Sequence, residues 1–155
     1  MQIRRTQDGM SGFLCWNLVS PGLVDLVHAF FSGDRFVVWP FVLTQHVLPV
    51  EEELHEVIHA VQQVECSMAG TLLVLLLYLS CLSPAVLWLL PFAWLPGSNP
   101  YHILTIVFYE IGLFRHKSRN AAWHRIPFEQ EAREGQSCLY YLVKRPLLAW
   151  WSYQI

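Results

Sequence analysis

PVEEELHEVIHAVQQVECSMAGTLLVLLL, residues 49–77, carries a five-residue motif at one end and a charge-free apolar run at the other. Pro49 followed by Glu51, Glu52 and Glu53 suits the positive end of a helix and predicts a start near Val50. Leu54, Val57, Ile58, Val61 and Val64 recur at helical spacing through about Met68, which predicts a helix over 49–68. His55, Glu56, His59, Gln62, Gln63 and Cys66 then fall on or beside its second, polar face. His55 and His59 stand one turn apart, so both imidazoles reach one metal ion, and Glu56 is placed to take a proton from a water beside them.

The chain around this helix is greasy. Its 155 residues, enough for one domain, are 54% hydrophobic, 14% aromatic and only 14% charged, more apolar than ordinary soluble domains. Between Cys66 and Tyr109 there is no Asp, Glu, Lys or Arg. One membrane-crossing helix needs only about 20 residues, so the run has room for a hydrophobic hairpin over 68–114. Its first arm is placed at Met68 to Leu90 with a kink at Pro84, its turn at Pro91, Pro96, Gly97, Asn99 and Pro100, and its second arm at Tyr101 to Phe114. Trp88, Trp94 and Tyr101 are candidates for an interfacial aromatic belt.

A hairpin returns the chain to the side it left. Arg115, Lys117, Arg119 and Arg125 follow with no acid among them, a cluster that the positive-inside rule assigns to the cytoplasm or an organelle's matrix. That puts the His-bearing helix and everything after residue 115 in one compartment, the near side of a bacterial or organellar inner membrane. Ile126 to Glu134 reads as a helix opened by Pro127 with carboxylates in its first turns, and it offers an oxygen ligand to a site that already has two nitrogens.

The order His-Glu-x-x-His, apolar arms, then Phe128-Glu129-Gln130-Glu131-Ala132 resembles the membrane gluzincin metallopeptidases, the CAAX prenyl protease and heat-shock membrane protease group. The resemblance implies a mainly α integral-membrane fold with zinc held by His55, His59 and Glu129, and Glu131 or Glu110 as the other carboxylates in view. A nearer resemblance, over residues 36–152, is to short uncharacterised bacterial membrane proteins with H-E-x-I-H-x-x-Q-Q and F-E-x-E-A motifs. Arg133 departs from the protease pattern, which has Asp there to orient a ligating His. If the chain is a peptidase, zinc supplies an activated water, Glu56 takes its proton and His124 or Tyr140 stabilises the oxyanion. The other reading is a non-catalytic accessory subunit of a larger membrane complex, such as a respiratory one, keeping a structural or degenerate metal site.

The remaining segments say less. Residues 1–48 read as an interfacial segment, with a short helix over Leu18–Phe31 broken by Pro21, Gly22 and Asp25, then a strand over Phe36–Leu43 beside the site helix. Tyr140, Tyr141, Lys144, Arg145, Trp150, Trp151 and Tyr153 read as an aromatic tail at the membrane interface within a 115–155 unit. Cys15, Cys66, Cys81 and Cys138 form no Cys-x-x-Cys pair, and His46, His102 and His116 are set aside as ligands. Lipid and other membrane subunits are the implied partners. No nucleic-acid patch is present.

Overall fold

The computed structural model describes residues 2–5, 16–19, 35–39, 41–45, 47–95 and 98–155, and it is mainly helical. Helix α1 spans Val50–Cys81 without a break, 32 residues or about 48 Å at the α-helical rise. It starts as the acids predict: Glu51, Glu52 and Glu53 fill the first turn and the Glu53 N–H donates to the Pro49 carbonyl at 2.8 Å. The polar helix of 49–68 and the beginning of the apolar arm are therefore one rod.

Burial changes abruptly along that rod. Up to Ser67 its buried residues include Leu54, Val57 and Ile58 together with Glu56, His59, Gln62, Gln63 and Glu65. From Met68 onward Leu72, Leu73, Leu75, Leu76, Leu77 and Leu79 are exposed, and Val74 alone is buried. The polar half is inside and the apolar half outside, the reverse of a water-soluble helix.

The first arm departs from its expected course at Leu82. There the backbone turns left-handed at φ 50°, the N–H closes on Tyr78 O, and the helix ends nine residues short of Leu90. Pro84, which has no N–H to donate, does not kink the helix but opens a 3₁₀ segment, Pro84–Ala93. This segment folds back along α1, where Trp94 Nε1 donates to Thr71 Oγ1 at 2.9 Å. Pro96 and Gly97 of the turn lie outside the described residues. Helix α2, Pro100–His116, is capped by Asn99, whose side chain accepts from the Tyr101 N–H and donates to Ser67 Oγ at 2.6 Å. Its start is thus pinned to the point on α1 where burial changes. Gly70 permits the approach, since a Cβ there would lie 2.8 Å from Pro100 Cγ.

Helices α3 (Arg119–His124), α4 (Pro127–Gly135) and α5 (Tyr141–Lys144) follow, then a 3₁₀ turn at Ala149–Ser152. The described N-terminal residues are strands, not the short helix expected over Leu18–Phe31. They form a four-stranded sheet, β1 (Gln2–Arg5), β2 (Trp16–Val19), β3 (Arg35–Val38) and β4 (Phe41–Thr44), in the order β1-β2-β4-β3. Strands β2 and β4 pair in parallel and the other two pairings are antiparallel. The single strand expected over Phe36–Leu43 is therefore a hairpin of β3 and β4. Of the helix expected over Leu18–Phe31, Leu18 and Val19 belong to β2 and residues 20–31 lie outside the described residues, as do Cys15, Pro40 and His46. Val37 and Val42 pack with Leu48, Val57 and Ala60 of the following segment and α1.

Half of the expected interfacial tail is core. Arg145 is buried in ion pairs with both Glu65 and Glu131, Tyr141 Oη donates to Glu131 Oε1 at 3.0 Å, and Trp150 stacks 4.7 Å from Phe128 between ring centres. Only Tyr140, Lys144 and Trp151 of that set stay exposed. Arg145→Ala leaves two buried carboxylates uncompensated and is expected to cost about 3–5 kcal/mol. Arg133→Ala, which removes a half-exposed side chain, should cost under about 1 kcal/mol. Chemical denaturation in detergent micelles checks the contrast, and equal midpoints for the two variants would contradict it.

Candidate metal centre

His55 and His59 project from one face of α1 toward the first turn of α4, where Pro127 opens the helix and Glu129 follows two residues later. Their Nε2 atoms lie 3.1 Å apart, and Glu129 Oε2 is 3.6 Å from the first and 3.4 Å from the second. A tetrahedral ion with bonds of about 2.0–2.1 Å requires ligands about 3.3 Å from one another. The three atoms therefore form one face of such a tetrahedron, with a point about 2 Å from each and the fourth position open. This group could hold a metal ion, and among the described residues no other set of three or more His, Cys, Asp or Glu side chains converges in this way.

What faces inward is decided by what each ligand does with its other polar atom. His59 Nδ1 lies 2.8 Å from Gln62 Oε1, and His55 Nδ1 lies 3.0 Å from Gln136 Oε1. The Gln62 amide is not free to flip, because its NH₂ already donates to Phe128 O and Glu131 Oε2, both at 3.0 Å. Its oxygen must then face His59, so Nδ1 carries the hydrogen and Nε2 presents a lone pair. Gln136 Oε1 can accept from His55 Nδ1 in the same sense. Two imidazole lone pairs at 3.1 Å and a carboxylate oxygen repel one another unless a cation, a metal or a proton, lies between them. On Glu129 the second oxygen is gripped by Arg133, Nε to Oε1 at 2.6 Å, which leaves Oε2 for the centre.

The electrostatics agree. Burial alone would raise the Glu129 pKa, but with a proton in the cation's place the His55 and His59 rings donate to it, and these contacts, the His59 charge and Arg133 hold it well below the usual carboxylate range. Burial alone would lower that of His59, yet the hydrogen bond to Glu129 and the charges of Glu56 and Glu129 leave it raised. Both shifts express a pocket tuned to keep a positive charge beside Glu129.

Of the residues proposed from sequence, His55, His59 and Glu129 come together, with Glu56 buried near enough for its charge to act on His59. Glu131 is taken up by Arg145, Tyr141 and Gln62, while Glu110 is exposed on α2. His124 ends α3 and Tyr140 is exposed, and the ligand atoms meet without either. Arg133, which departs from the protease pattern, is the residue that orients Glu129. Gln62 sits one turn beyond His59 and was in view as a polar neighbour. Gln136, Tyr101, Glu65 and Arg145 were not, and only the fold brings them near. Tyr101 Oη lies 3.1 Å from His59 Nδ1, the ring nitrogen that does not face Glu129. Gln63 turns to the sheet instead, its amide donating to Val37 O and accepting from the Trp39 N–H, and so occupies part of the free edge of β3.

Comparison with protein-family models, with curated proteins and with solved structures returns no match to this chain.

Metal content of purified variants tests the ligand assignment. Glu129→Gln should lose most of the bound divalent metal and Glu110→Gln none. Gln62→Leu, which frees the His59 ring while keeping all three ligands, should weaken binding by about 10–100-fold. Loss at Glu110→Gln, or full affinity in Gln62→Leu, would contradict the arrangement.

Proposed function

We propose that the chain is an integral-membrane zinc protein, and that its chemistry is metal-assisted hydrolysis of an amide or similar polarised carbonyl. The observation that carries the reading is the convergence of two imidazole nitrogens and one carboxylate oxygen, each ligand held by a hydrogen-bond partner at its other polar atom, on a single three-coordinate position. Nitrogen–nitrogen–oxygen ligation with one open position is the donor set of catalytic zinc sites, whereas structural zinc sites are closed by four protein ligands. Zinc bound there would lower the pKa of a water and polarise a carbonyl.

The chain's own residues supply the rest. Glu56, adjacent to the first ligand and buried, is the acceptor for the proton of the attacking water, and it can return that proton to the leaving amine. Gln62 and Gln136 hold the imidazoles in the tautomer that ligates, and Arg133 keeps Glu129 ligating through one oxygen. Membrane residence is supported by the length and hydropathy of α1 and by the exposed leucines of its second half. The exposed cluster Arg115, Lys117, Arg119 and Arg125 favours the cytoplasmic or matrix side for the centre.

A second reading, a non-catalytic subunit of a membrane complex, is favoured by one observation: α2 exposes Ile103, Ile106, Val107 and Phe114, the last 86% accessible, a face suited to another protein. Glu56→Gln separates the two. In a hydrolase it should keep zinc and fold while turnover of a casein or peptide-library substrate falls by about 10²–10⁴-fold. In a structural subunit Glu56→Gln is silent and His55→Ala alone disrupts assembly.

A further inference from the structure

The hairpin and the metal centre sit on the same helix, and the geometry points to a membrane anchor that enters the bilayer without crossing it. We propose that Met68–Cys81 and its 3₁₀ return dip into the hydrocarbon from one side only, while the first half of α1 holds the metal centre in the aqueous layer. Its reactants are then soluble or juxtamembrane segments, not bonds inside the bilayer. That last clause rests on the metal-site reading, but the membrane geometry does not.

Lengths set the depth. Met68–Cys81 is 14 helical residues, about 21 Å, and the ten residues of Pro84–Ala93 give back about 20 Å at the 3₁₀ rise. The two arms match each other and fall about 10 Å short of the roughly 30 Å hydrocarbon core. A crossing hairpin would put its tip among the far headgroups, where charged or hydrated residues belong. This tip carries no charge: Ser80 Oγ and Cys81 Sγ donate to Leu76 O and Leu77 O of their own helix, Leu82, Ser83 and Pro84 follow with one hydroxyl among them, and there is no charged residue from Cys66 to Tyr109.

Lipid is favoured over a protein groove as the occupant. The return segment covers only the stripe of Gly70, Thr71, Val74 and Tyr78, and the remaining circumference is exposed apolar surface. A groove covers one face of a helix, whereas a bilayer surrounds it. At the base Trp39 and Trp94, rings 6.2 Å apart and both part-exposed, stand where an interfacial aromatic pair belongs. His59 lies nine residues below Met68 and His55 thirteen, about 14 and 20 Å along the axis.

Two native cysteines report this directly. Cys81 is exposed at the tip, and Cys138 is exposed two residues beyond Gln136, the partner of His55. The full chain is reconstituted into phosphatidylcholine–phosphatidylglycerol vesicles, a membrane-impermeant maleimide is supplied in both compartments, and labelling is mapped by mass spectrometry. Cys138 should label and Cys81 stay protected until detergent is added, whichever way the protein inserts. Labelling of Cys81 at the rate of Cys138 overturns the proposal, because the tip is then in water on one side or the other. Protection of Cys138 also overturns it, by putting the level of the metal centre in the bilayer. As a second test, Leu82→Asp introduces a charge at a left-handed position that Asp tolerates. Most of the variant should be released by an alkaline carbonate wash that leaves the wild type in the membrane, and full retention overturns the single-sided depth. Neither experiment depends on zinc or on turnover.

Discussion

Like-acting groups are forced together at the junction of α1 and α4, and the buried hydrogen-bond chain that forces them is what the rest of the molecule serves. From Arg145 the chain passes to Glu131, from Glu131 to Gln62, and from Gln62 to His59. Each link has only one sense. Arg145 can only donate, the carboxylate can only accept, the amide nitrogen donates to Glu131, and the amide oxygen is left for the imidazole. The protonation state of a ring nitrogen is therefore set by a guanidinium in the C-terminal tail, 86 residues along the chain from His59. Glu65, the second partner of Arg145, also accepts the Leu148 N–H at 2.9 Å and ties the tail to α1 nearly two turns above His59.

This polar interior explains the inverted distribution of side chains. Glutamates, glutamines and histidines occupy the inside of the first half of α1 because each finds a partner there, which removes most of the cost of burial. The leucines of the second half are exposed, and among the described residues the stripe under the 3₁₀ return is what is covered. One helix is thus solvated by protein at one end and suited to lipid at the other, and Ser67, held by Asn99, marks the changeover.

The sequence made the site helix and its ligands legible for local reasons. An i, i+4 pair needs only a helix, and the start of that helix was announced by Pro49 and three acids. The third ligand required a second segment, which was found because Pro127 and the carboxylates mark a helix start, and within it Glu129 was singled out by the resemblance to the membrane gluzincins. The changeover at Met68 was visible as the last residue of the polar pattern, although the helix itself continues. What could not be read was long-range or depended on backbone geometry. Leu82 is an unremarkable leucine in a leucine-rich run, and only its left-handed backbone ends the helix there. Arg145 looks like an interfacial arginine until the fold sets Glu65 and Glu131 beside it. Beyond the strand read over Phe36–Leu43 the sheet was hidden because four-residue strands leave too short a pattern to register, and the second half of β2, Leu18 and Val19, fell within what read as an apolar interfacial helix.

The central claim is that His55, His59 and Glu129 ligate one zinc and leave one position open. X-ray absorption spectroscopy of the purified full-length protein tests it most directly. The account predicts one zinc per chain in a shell of nitrogen and oxygen at about 2.0–2.1 Å, with the multiple-scattering signature of two imidazoles and a fourth light-atom ligand that azide displaces. A sulfur shell at about 2.3 Å, a single imidazole, or a protein that binds no zinc from a buffered supply would contradict it.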